Sequence, residues 1–168
     1  CALPIYQVLI KDGEKYLFYG GKSGEVSHNA RIRARVKADA LWELMGESSD
    51  ILVMGHKQAD LDSLGSCIGI YTIAKTMGKS CHIVLDTVSI GVKRLYERMM
   101  EYGGYENLFL TSAEALHAVT EKTLVVVTDT HRYTMTECPE LLKETKKIVV
   151  FDHHRKSTDF IENAVLIY

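Results

Sequence analysis

The segment Ile51-Leu52-Val53-Met54-Gly55-His56-Lys57-Gln58-Ala59-Asp60-Leu61-Asp62-Ser63 decides the fold of this chain. Its first four residues form a continuous apolar run, which is typical of a strand buried on both faces. A helical pattern that contains Leu64, Ile68, Tyr71 and Ile73 follows. The segment therefore predicts a strand, a polar loop and a helix in succession, which is the alternation of α/β folds.

The same alternation continues to the end of the chain. The further predicted strands are His82–Leu85, Asn107–Leu110, Leu124–Val127 and Ile148–Phe151, and the helices between them are Val92–Tyr102, Ser112 to about Val119 with Ser112 as its cap, and Pro139 to about Thr145. Another strand-like run begins at Ala164. Because the strongest runs are apolar throughout, we predict an open, mainly parallel sheet with helices on both faces.

A thinner unit is predicted ahead of this sheet. Two short strand-like runs, Tyr6–Ile10 and Tyr16–Tyr19, flank Asp12-Gly13. This pair favours a hairpin turn because both residues tolerate positive φ. Helical spacing then extends from about Asn29 to Met45. We predict a β-hairpin and a linker helix before the α/β domain.

The composition indicates one ordinary globular domain and excludes some functions. The 168 residues are 46% hydrophobic and 25% charged. A net charge of -2 and a pI of about 6.4 give no electrostatic footprint for long nucleic acid. The four cysteines make no zinc pattern, and we expect buried or incidental thiols in a reducing compartment. No apolar run approaches the ~20 residues of a membrane-spanning helix.

Acidic and histidine residues follow three of the strongest strands. The clusters are Gly55–Ser63 after Met54, Thr128–Arg132 after Val127 and Asp152–Arg155 after Phe151. Ligands bind at the carboxyl ends of strands in open α/β sheets, so the clusters are expected at one rim. Carboxylates crowded there repel each other, and divalent cations relieve the repulsion. A mixture of imidazole and carboxylate suits Mn²⁺, Fe²⁺, Co²⁺ or Zn²⁺.

Each cluster taken alone has a plainer interpretation. A single loop histidine such as His56 is more often hydrogen-bonded than a metal ligand. Asp60 and Asp62 are well placed to cap the helix that begins near Ser63. Asp129 can stabilise a turn after its strand, and the two histidines that follow Asp152 can be surface residues. The joint pattern favours a metal centre, because no structural need explains three such clusters at three strand ends.

These motifs resemble those of the DHH phosphoesterase superfamily. The likeness rests on Asp152-His153-His154 after one apolar strand and on His56-x-x-x-Asp60-x-Asp62 after another. It is strongest to the GdpP-like (YybT-type) branch, the bacterial cyclic-di-AMP phosphodiesterases, which the segments Met54–Lys57, Asp129–Arg132 and Asp152–Arg155 all fit.

The resemblance implies a domain organisation. Residues 1–27 would be the tail of a degenerate GGDEF-like domain, with the first few residues non-native. Residues 28–48 would be the linker helix, and residues 49–168 a DHH domain truncated on its carboxy-terminal side. The segment Phe18–Ser23 and the arginine-rich helix after it are similar to the junction before the DHH domain in that branch.

The resemblance also implies two Mn²⁺ sites. His56, Asp60 and Asp129 would hold one ion, and Asp62, Asp129 and His153 would hold the second, so that Asp129 bridges them. A further aspartate of the family's second site lies downstream of the tripeptide, and Asp159 is too close to it to serve as a substitute. The fragment is therefore expected to bind metal incompletely, and alone it can be inactive.

Roles next to the metals follow from the same resemblance. Asp152 would orient His153 from behind, and His154 and Arg155 would face the substrate phosphate. The implied reaction is hydrolysis of cyclic di-AMP to the linear dinucleotide by a water that two metal ions activate. The alternatives are another phosphoesterase of the superfamily, such as a short-oligonucleotide exonuclease or an inorganic pyrophosphatase, and an inactive fragment that binds metal or nucleotide. The parent protein is expected to be a homodimer on the cytoplasmic side of the plasma membrane, anchored by amino-terminal helices.

Overall fold

The computed structural model describes residues 8–12, 15–19, 26–105, 107–154 and 158–167, and within these ranges it describes side chains for residues 34–165. In chain order the strands and helices are β1 (Val8–Asp12), β2 (Lys15–Tyr19), α1 (Val26–Gly46), β3 (Asp50–Met54), α2 (Leu61–Thr76), β4 (Ser80–Val84), α3 (Lys93–Tyr102), β5 (Phe109–Leu110), α4 (Ser112–Ala118), β6 (Leu124–Thr128), α5 (Leu141–Glu144), β7 (Ile148–Phe151) and β8 (Leu166–Ile167).

A parallel sheet forms the centre of the molecule. Among the described residues it contains six strands in the order β5-β4-β3-β6-β7-β8. Every neighbouring pair in it is parallel. The three strands that lead into the predicted clusters, β3, β6 and β7, are adjacent, so their carboxyl ends lie side by side. The predicted open parallel sheet is confirmed, and its strand order brings the three clusters to one rim.

The sheet is covered on both faces because its central strands are apolar at every position. In β6, Leu124 and Val126 point into one core and Val125 and Val127 point into the other. The first core also contains buried residues of α1, α2 and α3, and the second contains residues of α4 and α5. Side chains alternate between the faces of a strand, so a continuous apolar run is needed to fill both cores.

The unit before the sheet also has the predicted architecture. Strands β1 and β2 pair in antiparallel fashion with Val8 opposite Tyr19. The carboxy-terminal half of α1 packs into the first core through Leu41 and Leu44. Lys79 Nζ donates to Gly46 O at 2.6 Å and so satisfies a carbonyl at the end of α1. This contact fastens α1 to the turn between α2 and β4.

The start of α4 differs from the prediction. Ser112 was expected to cap this helix, but the cap is Thr111. The Thr111 side chain accepts from the backbone of Glu114 at 3.3 Å, and Glu114 Oε2 accepts from the Thr111 backbone at 2.8 Å. This reciprocal capping box needs a residue of extended backbone, which Thr111 has. Ser112 is already helical, and its hydroxyl donates to Asp86 at 2.6 Å.

Other elements differ from prediction by a few residues. Helix α2 begins at Leu61, two residues before the expected Ser63. Helix α5 begins only at Leu141, so the expectation that Pro139 lies in its first turn was wrong. Strand β5 is limited to Phe109–Leu110. Each shift occurs at an element end, where local sequence signals are weakest.

Two further expectations from composition can be compared with the described residues. In that part of the chain no helix combines the length and apolarity that crossing a bilayer requires. Cys67, Cys81 and Cys138 are buried free thiols, as predicted. Burial raises the pKa of Cys67 and of Cys81 to about 12, so both remain protonated at neutral pH.

Gly55 lets the end of β3 pass close to α2. A Cβ atom at this position would lie 1.9 Å from Ser63 Oγ and 3.3 Å from Ser63 Cβ. Ser63 Oγ is itself buried without a hydrogen-bond partner among the described residues. The contact sets how closely the helix approaches the strand that leads into His56.

We expect Gly55→Ala to lower the free energy of unfolding by about 1–3 kcal/mol, because the added methyl group overpacks this contact. Ser63→Ala in the same chain should restore part of the loss by removing the clashing hydroxyl. Urea denaturation of the metal-free protein measures both effects. Gly69→Ala is the matched control, since a Cβ there meets nothing within 4 Å and should stabilise α2 by about 0.5–1 kcal/mol. A Gly55→Ala protein as stable as this control would contradict the prediction.

Candidate metal centre

Asp129 lies at the carboxyl end of the central strand β6. Among the described non-glycine residues it alone has a positive φ, of 60°. Aspartate tolerates this left-handed conformation better than most residues because its short polar side chain can bond locally. Asp129 N donates to Phe151 O at 2.7 Å, which fixes the residue against the end of β7. The carboxylate, only 6% exposed, is thereby held between the loops that follow β3 and β7.

The two oxygens of Asp129 face two different histidines. Oδ2 lies 3.6 Å from His56 Nε2, and Oδ1 lies 3.3 Å from His153 Nε2. Asp129 accordingly belongs to two groups whose possible ligand atoms lie within 4.8 Å of one another: His56, Asp60 and Asp129 form the first, and Asp129, His153 and His154 the second. A carboxylate whose two oxygens face two such groups has the geometry that is required of a ligand that bridges two metal ions.

Asp60 serves the fold and the first group at the same time. Its Oδ1 accepts from Asp62 N and Ser63 N, each at 3.0 Å, and so caps α2. Its Oδ2 lies 3.9 Å from His56 Nε2. The hydrogen bond from Ser63 and the nearby imidazole together hold the pKa of Asp60 below its usual value, although partial burial opposes them. The plainer interpretation of Asp60 as a helix cap is correct, and it leaves one oxygen for a metal.

Asp62 is placed differently from the other predicted ligands. It lies exposed in the first turn of α2, where its backbone N–H takes part in the Asp60 cap. Among the described residues it belongs to neither group, whereas His154 joins Asp129 and His153 in the second. Asp159, which was not expected to replace the family's further ligand, accepts from Thr134 Oγ1 at 2.6 Å away from both groups.

Asp152 holds two imidazoles. Its Oδ1 accepts from His154 Nδ1 at 2.7 Å, and its Oδ2 is hydrogen-bonded to His131 Nδ1. Burial raises the pKa of Asp152, but the hydrogen bonds from His131 and His154 outweigh it, so the pKa lies below its usual value. The hydrogen bond to Asp152 raises the pKa of His154 in turn. The ionised Asp152 carboxylate therefore lies next to His154, a member of the second group.

This arrangement differs from the predicted role of Asp152. The residue was expected to orient His153, but its hydrogen bonds among the described residues go to His131 and His154. The Asp152 carboxylate is 3% exposed and is bonded to these two imidazoles, whereas His153 is 74% exposed and its Nε2 faces Asp129. Arg155, the predicted substrate-binding residue, lies outside the described residues.

His131 was given no role by the sequence. It lies within the predicted cluster after β6 and within the segment Asp129–Arg132 that fits the family, but neither pattern assigned it a contact. The contact with Asp152 depends on β6 and β7 being neighbours, which the sequence alone does not specify.

The loop after β6 also fastens the loop after β3. Backbone contacts join them at three successive positions: His56 bridges Thr136, and the pairs Lys57 N–Met135 O and Glu137 N–Gly55 O are each 2.9 Å apart. These contacts hold His56 in place without help from a ligand.

The buried carboxylate of Glu137 connects the loop after β4 to the loops after β3 and β6. Glu137 Oε1 accepts from Asp86 N at 2.7 Å, in the segment after β4. Burial raises the pKa of Glu137, and its Oε2 has no hydrogen-bond partner among the described residues. Asp86 accepts from Ser112 N at 2.6 Å and so continues the connection to α4. The loop after β4 is thus joined to the two loops that hold His56 in place.

The donor set fits a divalent transition metal. Each group combines carboxylate oxygen with imidazole nitrogen, which suits Mn²⁺, Fe²⁺, Co²⁺ or Zn²⁺ better than Ca²⁺. The shared carboxylate is buried, while the outer members Asp60, His153 and His154 are exposed. The centre therefore has a fixed base and an open side from which a ligand can approach.

Comparison with known proteins also supports the DHH family. Residues 50–168 match the model of the DHH family, N-terminal domain. The chain is 41% identical over 165 residues to the cyclic-di-AMP phosphodiesterase PdeA of Listeria monocytogenes, and 39% identical over 165 residues to the cyclic-di-AMP phosphodiesterase GdpP of Bacillus subtilis. Each match covers 96% of this chain and 25% of the relative, so the chain spans about a quarter of the length of these curated relatives.

A solved structure supports the fold. An exopolyphosphatase-related protein from Bacteroides fragilis superposes with a TM-score of 0.60 at 15% identity, over 86% of this chain and 41% of that protein. With its parallel sheet, its clustered acidic and histidine residues and a family match over residues 50–168, the chain belongs to the DHH family.

Proposed function

We propose that this chain carries the metal-binding part of a phosphodiesterase that hydrolyses cyclic di-AMP to the linear dinucleotide with two Mn²⁺ ions. One observation carries the proposal: the two oxygens of Asp129 face His56 at 3.6 Å and His153 at 3.3 Å. The identity of 39–41% to cyclic-di-AMP phosphodiesterases supports the choice of substrate. The chain spans about a quarter of the length of those relatives, so the activity of the whole protein is part of the proposal.

The first ion would be held by His56, Asp60 and Asp129. These three side chains come from the loop after β3 and the end of β6, which the contacts between the two loops hold in register. Since Asp60 Oδ1 is fixed by the cap of α2, Oδ2 is directed towards His56 and does not need to be ordered when metal binds. Such preorganisation lowers the entropic cost of binding.

The second ion would share Asp129 and add His153. Asp62 remains a proposed ligand of this ion, because it lies in the first turn of α2 and its N–H donates to Asp60, a proposed ligand of the first ion. Bound ions of this kind supply Lewis-acid activation of a water and neutralise charge on the phosphoryl oxygens. The protein itself holds the ligands of the two ions at fixed positions on either side of Asp129.

His154 is proposed to contact the substrate phosphate. Its Nδ1 donates to Asp152, so its Nε2 is the atom left for a ligand. His154 is exposed and lies beside His153, with ring centroids 4.3 Å apart. Asp152 thereby acts through His154, and Arg155 is proposed to join it at the phosphate.

We expect the full-length parent protein to bind two Mn²⁺ ions and to convert cyclic di-AMP to the linear dinucleotide only when Mn²⁺ is present. Asp129→Asn removes the shared charge, so both ions should be lost, with affinity falling by at least about 100-fold. Isothermal titration calorimetry measures the ions, and chromatography of the nucleotides measures turnover.

The matched control is Asp39→Asn, an exposed aspartate on α1. It should leave metal binding and turnover unchanged. Unaltered Mn²⁺ stoichiometry in Asp129→Asn would overturn the proposed bridging role. Cleavage of pyrophosphate or short RNA in place of cyclic di-AMP would retain the family and exclude the substrate.

The dual position of Asp60 yields a second prediction. Asp60→Asn keeps a cap of nearly equal strength, so the metal-free protein should lose only a few tenths of a kcal/mol, whereas Asp60→Ala should lose about 1 kcal/mol. Both variants should bind Mn²⁺ much more weakly, because each lacks the carboxylate that faces His56. Urea denaturation and titration calorimetry separate the two effects. Wild-type Mn²⁺ affinity in Asp60→Asn would show that Asp60 is only a cap.

A further inference from the structure

His131 is a buried imidazole directly behind the candidate metal centre. It follows Asp129 by two residues, and its side chain is 9% exposed. Its carbonyl oxygen accepts from Ile161 N at 2.9 Å, which anchors the backbone to the segment after β7. The ring is thus fixed by packing and by its own main chain, and its Nδ1 is hydrogen-bonded to Asp152.

Asp152 connects this imidazole to one at the surface. One carboxylate oxygen is bonded to His131 Nδ1, and the other accepts from His154 Nδ1 at 2.7 Å and His154 N at 3.2 Å. An ionised carboxylate only accepts hydrogen bonds. Both imidazoles must therefore carry a proton on Nδ1, which fixes the orientation of each ring.

We propose that His131 is a positioning residue, which holds the Asp152 carboxylate in the orientation that directs His154 Nε2 towards a bound phosphate. The role given to His154 rests on the proposed function. The contact from His131 to Asp152 is observed directly between two side chains of this chain. His131 is not a catalytic residue in this account, because it is buried behind Asp152.

The alternative is that the buried pair only stabilises the fold. A carboxylate 3% exposed needs donors wherever it lies, and His131 supplies one. The two accounts differ in what happens to His154. If His131 positions Asp152, loss of its donor releases the second oxygen, and the carboxylate can rotate away from His154. If the contact is only structural, stability falls but the His154 ring stays as it is.

Two substitutions of His131 separate these outcomes. His131→Asn places an amide N–H close to the position of the imidazole Nδ1–H, whereas His131→Gln carries the same amide one methylene further out. Both variants keep a polar side chain of similar size, so both are suited to folding. His131→Leu, which has no donor, is the more severe variant. His117→Leu, at an exposed position on α4, is the control.

The first measurement does not use activity. Side-chain ¹H–¹⁵N spectra of the metal-free protein, recorded above the pKa of His154, report which ring nitrogen carries the proton. We expect His154 to be protonated on Nδ1 in the wild type, in His131→Asn and in His117→Leu. In His131→Gln and His131→Leu the two tautomers should be mixed. An unchanged His154 spectrum in both of these variants would overturn the proposal.

The second measurement places the same substitutions in the full-length parent protein and compares kcat and KM for cyclic di-AMP with Mn²⁺ saturating. Supporting residues of this type are worth about 10–100-fold in activity. We expect kcat to fall by this factor in His131→Gln, with KM and the number of bound ions nearly unchanged, and to recover to within a few-fold in His131→Asn. Equal losses in both variants would also overturn the positioning role. A full-length parent protein that does not cleave cyclic di-AMP would refute the proposed function instead, and the spectra would still decide the role of His131.

Discussion

The adjacency of β3, β6 and β7 is the constraint on which the site depends. Each strand ends in a short polar segment, and only this order places the segment of the central strand between the other two. Asp129 stands at that centre with a positive φ, and its two oxygens reach one histidine on each side. The apolar residues of β6 fill both cores, so the position of this carboxylate is set by the most deeply buried strand of the fold.

The carboxylates of the site are held by neighbours that also belong to the fold. Asp60 is bonded to the first turn of α2, and Asp152 is bonded to two imidazoles. Both keep pKa values below the usual value for aspartate, because hydrogen bonds to the charged form exceed the cost of burial. These two carboxylates are therefore ionised at neutral pH and held in place by hydrogen bonds from the protein itself.

Much of the architecture was predictable because it depends on local patterns. Continuous apolar runs indicated buried parallel strands, and the positions of His56, Asp129 and His153 at strand ends indicated a common rim. The pairing of Asp152 with His131 was not predictable, since it depends on which strands are neighbours and on which way one side chain turns. The cap at Thr111, in contrast, has a signal in the sequence that the prediction overlooked: Glu114 follows Thr111 by three residues, which is the spacing of a capping box, whereas Ala115 stands at that distance from Ser112.

The hydrogen-bonded row from His131 through Asp152 to His154 joins a buried and an exposed imidazole through one carboxylate. A buried ionised carboxylate is costly unless donors surround it, so Asp152 requires partners for the sake of stability alone. One partner is supplied from the interior and the other from the surface. Because the same carboxylate is hydrogen-bonded to both imidazoles, fixing the interior ring also restricts the orientation of the surface ring. A ring that is 56% exposed thereby obtains a fixed direction, which a surface histidine without such a partner does not have.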